Sequence, residues 1–310
     1  MAITPMVESA PEPGPARKRG RKPYAKPARP PGERALIASP GTWFVWAGVA
    51  AFFIFLAGII SSVVVDSFGK PWFDTWLPET FTLDWYTGAW ERFNLSQIVL
   101  VTLGASFTVV VLSVLIGVPA AYVLARRDFP FKKLVTVLFL LPVLMPPITY
   151  GIPLATVMYN FGLGRTVLAV ILVNLVPSVP FVILTMTPFI EQINPAIENA
   201  ARMSGASMRR VFTRILAPLL VPGILAAAIL VLVRTVGMFE LTYLVSGPTS
   251  DTLVVAIYRA MTSSGGGEAR QLVSSMGVLY TAMMLVILVV ALRFVNPTQL
   301  VARVKESRDD

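Results

Sequence analysis

The sequence predicts an all-α integral membrane protein with six transmembrane helices. Of its 310 residues, 55% are hydrophobic and only 14% are charged, and the mean hydropathy is +0.71. A soluble domain of this length has no use for so much apolar surface and could not keep it from water. The apolar residues gather into six runs, roughly 43–65, 97–125, 134–158, 166–190, 217–245 and 271–295. Each exceeds the ~20 residues that a helix needs to cross ~30 Å of hydrocarbon. The runs are continuous and show no inside/outside alternation, which favours helices over barrel strands. A buried core helix explains one such run but not six in succession.

Composition also excludes chemistry. With no cysteine and no histidine, disulfides, c-type haem attachment, thiol nucleophiles and histidine-based triads are ruled out, and zinc sites of the usual cysteine and histidine type with them. The net charge of +9 raises nucleic acid as a partner, but the position of the charges argues against it. The N-terminal tail, the 126–133 loop, the 188–216 loop and the C-terminal tail together hold 20 of the 26 Lys and Arg. That asymmetry puts both termini in the cytoplasm of a bacterial inner membrane protein.

Residues 1–40 contain nine prolines and the basic run Arg17-Lys18-Arg19-Gly20-Arg21-Lys22. Such a segment builds no core and is expected to be a disordered basic cytoplasmic tail attracted to anionic lipid. Residues 41–296 then form the six-helix domain, and 297–310 a second cytoplasmic tail. Between the first two spans, residues 66–96 carry Asp66, Asp74, Glu79, Asp84 and Glu91 against Lys70 and Arg92. Trp72, Trp76, Trp85, Tyr86 and Trp90 are interleaved with them. These aromatics fit either the headgroup level of a membrane edge or a docking surface for an external partner.

The third run holds Pro142, Pro146, Pro147 and Pro153, which leaves open a broken helix lining a pathway or a packing kink. In the fourth, Asn174, Pro177, Ser178 and Pro180 predict a polar, irregular stretch near mid-membrane. Asn174 and Ser178 are therefore candidate pathway residues. The fifth run buries Arg234 and Glu240, and intramembrane charge points to a pathway or a paired site. On one continuous helix their six-residue spacing sets them ~240° apart, too far around to pair. Tyr243 joins them as a pathway candidate.

The most informative stretch is 191–223, EQINPAIENAARMSGASMRRVFTRILAPLLVPG, on the cytoplasmic side between spans four and five. Asn194-Pro195 predicts a helix start, with Asn as cap and Pro at the first helical position. Gly205 predicts its stop through a left-handed turn. Ser207 is placed to cap a second short helix, in which Met208, Val211, Phe212 and Ile215 form one apolar stripe. Arg209, Arg210 and Arg214 take the other side, and Pro218 and Pro222 punctuate the start of span five. The small Ala200-Ala201 surface suits a helix seated in a cleft on another protein better than an amphipathic helix lying on lipid.

This stretch resembles the cytoplasmic loop of permeases of binding-protein-dependent ABC importers: EAA, three residues, Gly, nine residues, then I-x-x-P. Here Asn199-Ala200-Ala201 lead through Arg202, Met203 and Ser204 to Gly205, with Ile215 and Pro218 at the expected spacing. The pattern departs at Asn199, which stands in the glutamate position, and at Ala217, where Leu is usual. The resemblance extends over roughly 43–295, through Leu140-Leu141-Pro142 to Pro146-Pro147 and the strand-like lead-in Phe81-Thr82-Leu83-Asp84-Trp85-Tyr86. Within the superfamily, Arg234 to Pro248 with Thr252-Leu253 look closest to polyamine and ferric-iron permeases.

The resemblance implies a non-catalytic subunit whose coupling helix, formed from Glu198 to Ser207 with Gly205 and Ala206 at its turn, docks on an ATPase. Either Glu198 substitutes for the ionic contact that Asn199 cannot make, or the subunit couples with less charge. Implied partners are a second homologous permease, two ATP-binding subunits and an extracytoplasmic solute-binding protein. The sequence contains no GxxxxGK[ST] phosphate loop, so ATP and Mg fall to the partner subunits and no cofactor is expected in this chain. A polyamine or similar small cationic solute is the expected cargo, with ferric iron as the alternative. A self-contained secondary transporter or a membrane scaffold accounts for the spans but leaves this loop unexplained.

Overall fold

Inside hydrocarbon a backbone must satisfy its own hydrogen bonds, and this chain does so with helices. The computed structural model describes residues 40–72, 75, 77–263 and 267–294. Of the expected tails, 1–40 and 297–310, all but Pro40, which opens the first helix, lie outside the described residues, as do Asp74 and Trp76. By packing, the chain divides into two units, Met1–Leu56 and Ala57–Asp310. The described part of the first is helical throughout. It belongs to α1 (Pro40–Phe68), whose residues from Trp43 to Phe55 include Trp43, Phe44, Trp46 and Phe53, all exposed. An exposed helix that is apolar on every side is built for lipid.

The second unit holds the remaining helices: α2 (Asp84–Phe93), α3 (Leu95–Arg126), α4 (Lys132–Leu144), α5 (Pro147–Asn160) and α6 (Val167–Glu191). They are followed by α7 (Pro195–Met203), α8 (Met208–Val236), α9 (Glu240–Val245), α10 (Leu253–Thr262) and α11 (Arg270–Phe294). Five of the described helices (α1, α3, α6, α8 and α11) are long and apolar enough to cross a membrane. The third apolar run is the bent pair α4 and α5, which meet at 96°. It is a broken span or a re-entrant hairpin, and not a straight helix with a kink. The break falls at Met145-Pro146, where two successive prolines withdraw two N–H donors and force the preceding residue out of the α region. Pro142 and Pro153 sit inside their helices without breaking them.

The irregular stretch expected in the fourth run is absent: α6 is continuous through Pro177 and Pro180. The fifth run differs in the opposite direction. No separate short helix follows Ser207, because α8 runs unbroken from Met208. A π-helical turn over Phe212–Leu216, with the Ala217 N–H bonded to the Phe212 carbonyl, widens the register. That turn absorbs Pro218, which has no N–H to return to a carbonyl four residues back. The helix then stops at Val236, and Glu240 opens a different helix. The lead-in Phe81 to Tyr86 is strand-like only at one antiparallel bridge between Phe81 and Gly69, since α2 begins at Asp84.

The core is built on α3, α6 and α8. Val109, Val118, Tyr122, Val182, Met186, Leu220 and Val231 form its main cluster. A second cluster ties α6 to α5 and α9 through Val170, Ala155 and Leu241. A third joins α2, α10 and α11 through Ala89, Leu253 and Met276. At the end of the bundle away from α7, Asp66 fastens α1 to α11. Its carboxylate accepts from Arg270 Nε at 3.0 Å and from Ser274 Oγ at 2.6 Å.

Close approach of α3 to α6 requires Gly117. A Cβ there would meet Val182 Cγ1 at 2.7 Å and the Val179 carbonyl at 3.3 Å, whereas one at Gly104 on the same helix would meet nothing within 4 Å. Gly117→Ala is therefore expected to destabilise the purified protein by about 1–3 kcal/mol, through a lowered thermal midpoint. Gly104→Ala, which gains helix propensity in open space, should leave the midpoint equal or higher.

Candidate functional site

The loop between α6 and α7 follows the expected local chemistry. The Asn194 side chain accepts the Ala196 N–H at 2.9 Å, Pro195 occupies the first helical position, and α7 ends before Gly205 at φ +81°. Ser207 stands at the start of α8 with extended backbone, but its side chain makes no capping bond. Of the apolar stripe, Val211 is fully buried, Phe212 and Ile215 are half-buried, and Met208 remains exposed.

What pins α7 is Glu198. Its carboxylate is buried, with Oε2 accepting from Tyr122 Oη at 2.7 Å and Oε1 accepting from Arg126 Nε at 2.8 Å. Arg126 also donates through Nη2 to the Ile193 carbonyl, so one guanidinium bridges the loop at two points. Arg202, one turn along, lies 3.7 Å from Oε2 and is 43% exposed. The Tyr122 ring packs edge-on against Phe212 of α8, centroids 5.6 Å apart. Helices α3, α7 and α8 thus converge on one buried carboxylate.

This corrects the expectation that Glu198 supplies an outward ionic contact. The carboxylate is spent inside the chain. The outward face of α7 instead includes Asn199, Ala200 and Met203, the last 90% exposed, together with Ile197 and Arg202, while Ala201 and Ala206 are turned partly inward against the bundle core. Tyr122 and Arg126 were not legible as site residues. Arg126 read only as one more positive charge at a helix end, and nothing local marks Tyr122.

The five pathway candidates separate. Asn174 and Ser178 are each 2% exposed. The Asn174 amide donates to the Val170 carbonyl at 2.8 Å and to Thr242 Oγ1 at 3.3 Å, fastening α6 to α9. Their expected exposure to a pathway is not met within this chain, because the bundle closes over both. Arg234, Glu240 and Tyr243 are partly accessible. The Arg234 guanidinium lies over Phe181 at 5.6 Å. Neither Arg234 nor Glu240 has an ion-pair or hydrogen-bond partner among the described residues. The ~240° separation does not apply to them, since the break after Val236 puts them on different helices. Tyr243 stacks on Phe239, centroids 5.2 Å apart, and meets Tyr258 edge-on at the same distance.

Helices of this number, length and apolarity define a multi-pass membrane protein. Residues 113–298 match the family described as binding-protein-dependent transport system inner membrane component, and the chain belongs to it. The trehalose transport system permease protein SugB of Mycobacterium tuberculosis is 33% identical over 157 residues, which is 51% of this chain and 57% of that protein. The probable sulfate transport system permease protein cysT of Nephroselmis olivacea is 32% identical, over 47% of this chain and 56% of that protein. The molybdenum transport system permease protein ModB of Haemophilus influenzae is 30% identical, over 53% and 80%. The chain spans little more than half the length of the first two. In fold it is similar to a bacterial ABC transporter involved in the import of the acidic polysaccharide alginate, with TM-score 0.65 and 16% identity over 86% of this chain and 99% of that chain. It is also similar to the inward-facing MetNI methionine ABC transporter, with TM-score 0.52 and 20% identity over 66% and 95%. Family membership sets aside the self-contained secondary transporter and the scaffold.

Removing one member of a buried ion pair strands the other charge, at a cost of about 3–5 kcal/mol. Glu198→Ala should therefore raise amide exchange across 195–203 by at least ~10-fold, the change that corresponds to 1.4 kcal/mol. Arg202→Ala removes a half-exposed partner and should shift exchange by less than about 1 kcal/mol. Equal protection in wild type and Glu198→Ala would remove the anchor.

Proposed function

We propose that the chain is a permease subunit of an ATP-driven importer and that α7 is its coupling helix, seated on a separate ATP-binding subunit. The observation that carries this is the division of labour on α7: Glu198 faces inward as an anchor, while Asn199, Ala200 and Met203, with Ile197 and Arg202 beside them, face outward. Asn199 and Ala200 permit close backbone approach, and Met203 offers an adaptable apolar contact. The chain pairs with a second homologous permease to enclose the pathway, and an extracytoplasmic solute-binding protein delivers cargo at the other end. ATP and Mg belong to two partner subunits. Both termini lie in the cytoplasm of a bacterial inner membrane protein, as the distribution of Lys and Arg supports.

Arg234, Glu240 and Tyr243 are the pathway residues of this reading. Two charges inside a membrane bundle, with no ion-pair partner among the described residues, need water, a solute or the second permease for solvation. The polyamine-like solute suggested by Arg234 to Pro248 finds no support in the relatives named above.

In the assembled complex, Gly205→Val should abolish solute-stimulated ATP hydrolysis while leaving membrane insertion intact. A Cβ at Gly205 meets nothing within 4 Å, so the φ of +81° alone opposes the β-branched residue. Normal transport by that variant would contradict the coupling assignment. Asn199→Glu should be tolerated or mildly activating, since it adds a charge-assisted bond to a face already presented to the partner. A large loss of stimulated ATPase activity would show that the outward face cannot take a carboxylate.

A further inference from the structure

At the end of the bundle away from α7, the loop between α5 and α6 meets the segment after α9. The two enclose a cavity of about 430 Å³, within the range of small-molecule sites, lined among others by Tyr159, Arg165, Tyr243, Ser246, Gly247 and Arg259. We infer that this cavity is an anion subsite on the solute route, taking a small solute that carries a carboxylate, sulfate or phosphate group. The inference rests on the permease reading above and adds the charge class of the cargo.

The charges are the first ground. Two arginines, Arg165 and Arg259, line the cavity and no Asp or Glu does. Asp251 stands behind Arg259, buried, 2.9 Å from its Nε and accepting from Ser246 Oγ at 2.7 Å. The Nε–H is out of line for a hydrogen bond to that carboxylate, so the contact is ionic only. Arg259 is further held over the Tyr243 ring at 5.3 Å. The Arg165 guanidinium has neither ion pair nor hydrogen bond among the described residues. One positive charge is left uncompensated at an exposed mouth, and a polycation entering it would meet two arginines, the one carboxylate nearby, Asp251, being buried against Arg259.

The second ground is how Arg165 is held. Its backbone is in the left-handed region at φ +64°, a cost of about 1–2 kcal/mol for a residue with a Cβ. The surroundings enforce it: the Arg165 N–H donates to the Val245 carbonyl at 2.7 Å, and Ser250 Oγ donates to the Arg165 carbonyl at 3.0 Å. Gly247 admits the stem, since a Cβ there would lie 2.8 Å from Arg165 Cβ. Gly164 similarly leaves the space that the Tyr159 ring occupies. Strain maintained by this many contacts, around a side chain with no partner among the described residues, is the arrangement expected of a ligand clamp. A planar guanidinium with free N–H groups fits an oxyanion in bidentate fashion.

The test uses the full complex with its ATP-binding subunits in lipid nanodiscs, without the binding protein, titrated calorimetrically at fixed ionic strength. The probes are sodium sulfate and sodium glucuronate, with putrescine and trehalose as cationic and neutral counterparts. At least one anion should bind and putrescine should not. Arg165→Gln should weaken anion binding at least ~10-fold and Arg165→Lys less. If Arg165→Gln fails to assemble, Gly247→Ala reads the same point, because it keeps both arginines and displaces the Arg165 stem. Absence of anion binding, or equal binding by the variants, overturns the subsite. So does unchanged anion binding with weakened docking of the binding protein, which would give Arg165 to a protein carboxylate. Binding-protein-stimulated ATP hydrolysis is recorded on the same preparations. If it is present without anion binding, only the subsite fails; if it is absent in wild type, the permease reading fails.

Discussion

The loop end of the molecule depends on one buried carboxylate. Glu198 brings Tyr122 and Arg126 of α3 onto α7, and through the Tyr122 ring reaches Phe212 of α8. Without that carboxylate, Arg126 loses its counter-ion and the nine-residue α7 keeps the packing of Ala201 and the long Arg202 contacts to Tyr122 Oη and Met208 Sδ, each 3.4 Å. A helix this short is marginal alone in water and owes its position to tertiary contacts. The anchor therefore makes α7 part of the bundle, so that a force on its outer face reaches α3 and α8 directly.

Helix α8 extends that connection. Its 29 residues at 1.5 Å each make a rod of about 43 Å, running from the pinned loop to Arg234. Its break at Gly237 to Phe239 sets Glu240 and Tyr243 on α9, which is packed against α5 and α6. Movement of the loop end would thus arrive at the junction where the uncompensated charges lie. The π-helical turn at Phe212–Leu216 gives the rod one point of wider register beside the anchor, where a change of helix phase costs least.

Much of this was legible in residue order. Asn194-Pro195 and Gly205 define α7 by local chemistry alone, because capping and left-handed turns depend on near neighbours. The apolar runs were equally legible, since lipid acts on every residue alike. What escaped were outcomes decided across the fold. Proline content flagged the third run but did not choose between a kink and the 96° bend. In α6 the same residue type broke nothing. Glu198 and Asn199 are adjacent letters, and only the burial of one and the exposure of the other shows which turns inward and which outward. Arg165 and Arg259 lie 94 positions apart and line one cavity only once the chain has folded.

The central claim is that α7 presents Asn199, Ala200 and Met203 to an ATP-binding subunit while Glu198 holds it from behind. The chain has no cysteine, so a single Met203→Cys substitution, at a side chain 90% exposed, gives an unambiguous attachment point. Short-spacer crosslinking of that variant in the assembled complex should join it to the ATP-binding subunit, with a yield that changes between nucleotide-free and ATP-bound states. A complex that assembles and transports, yet gives no crosslink at 203 in either state, would contradict the account.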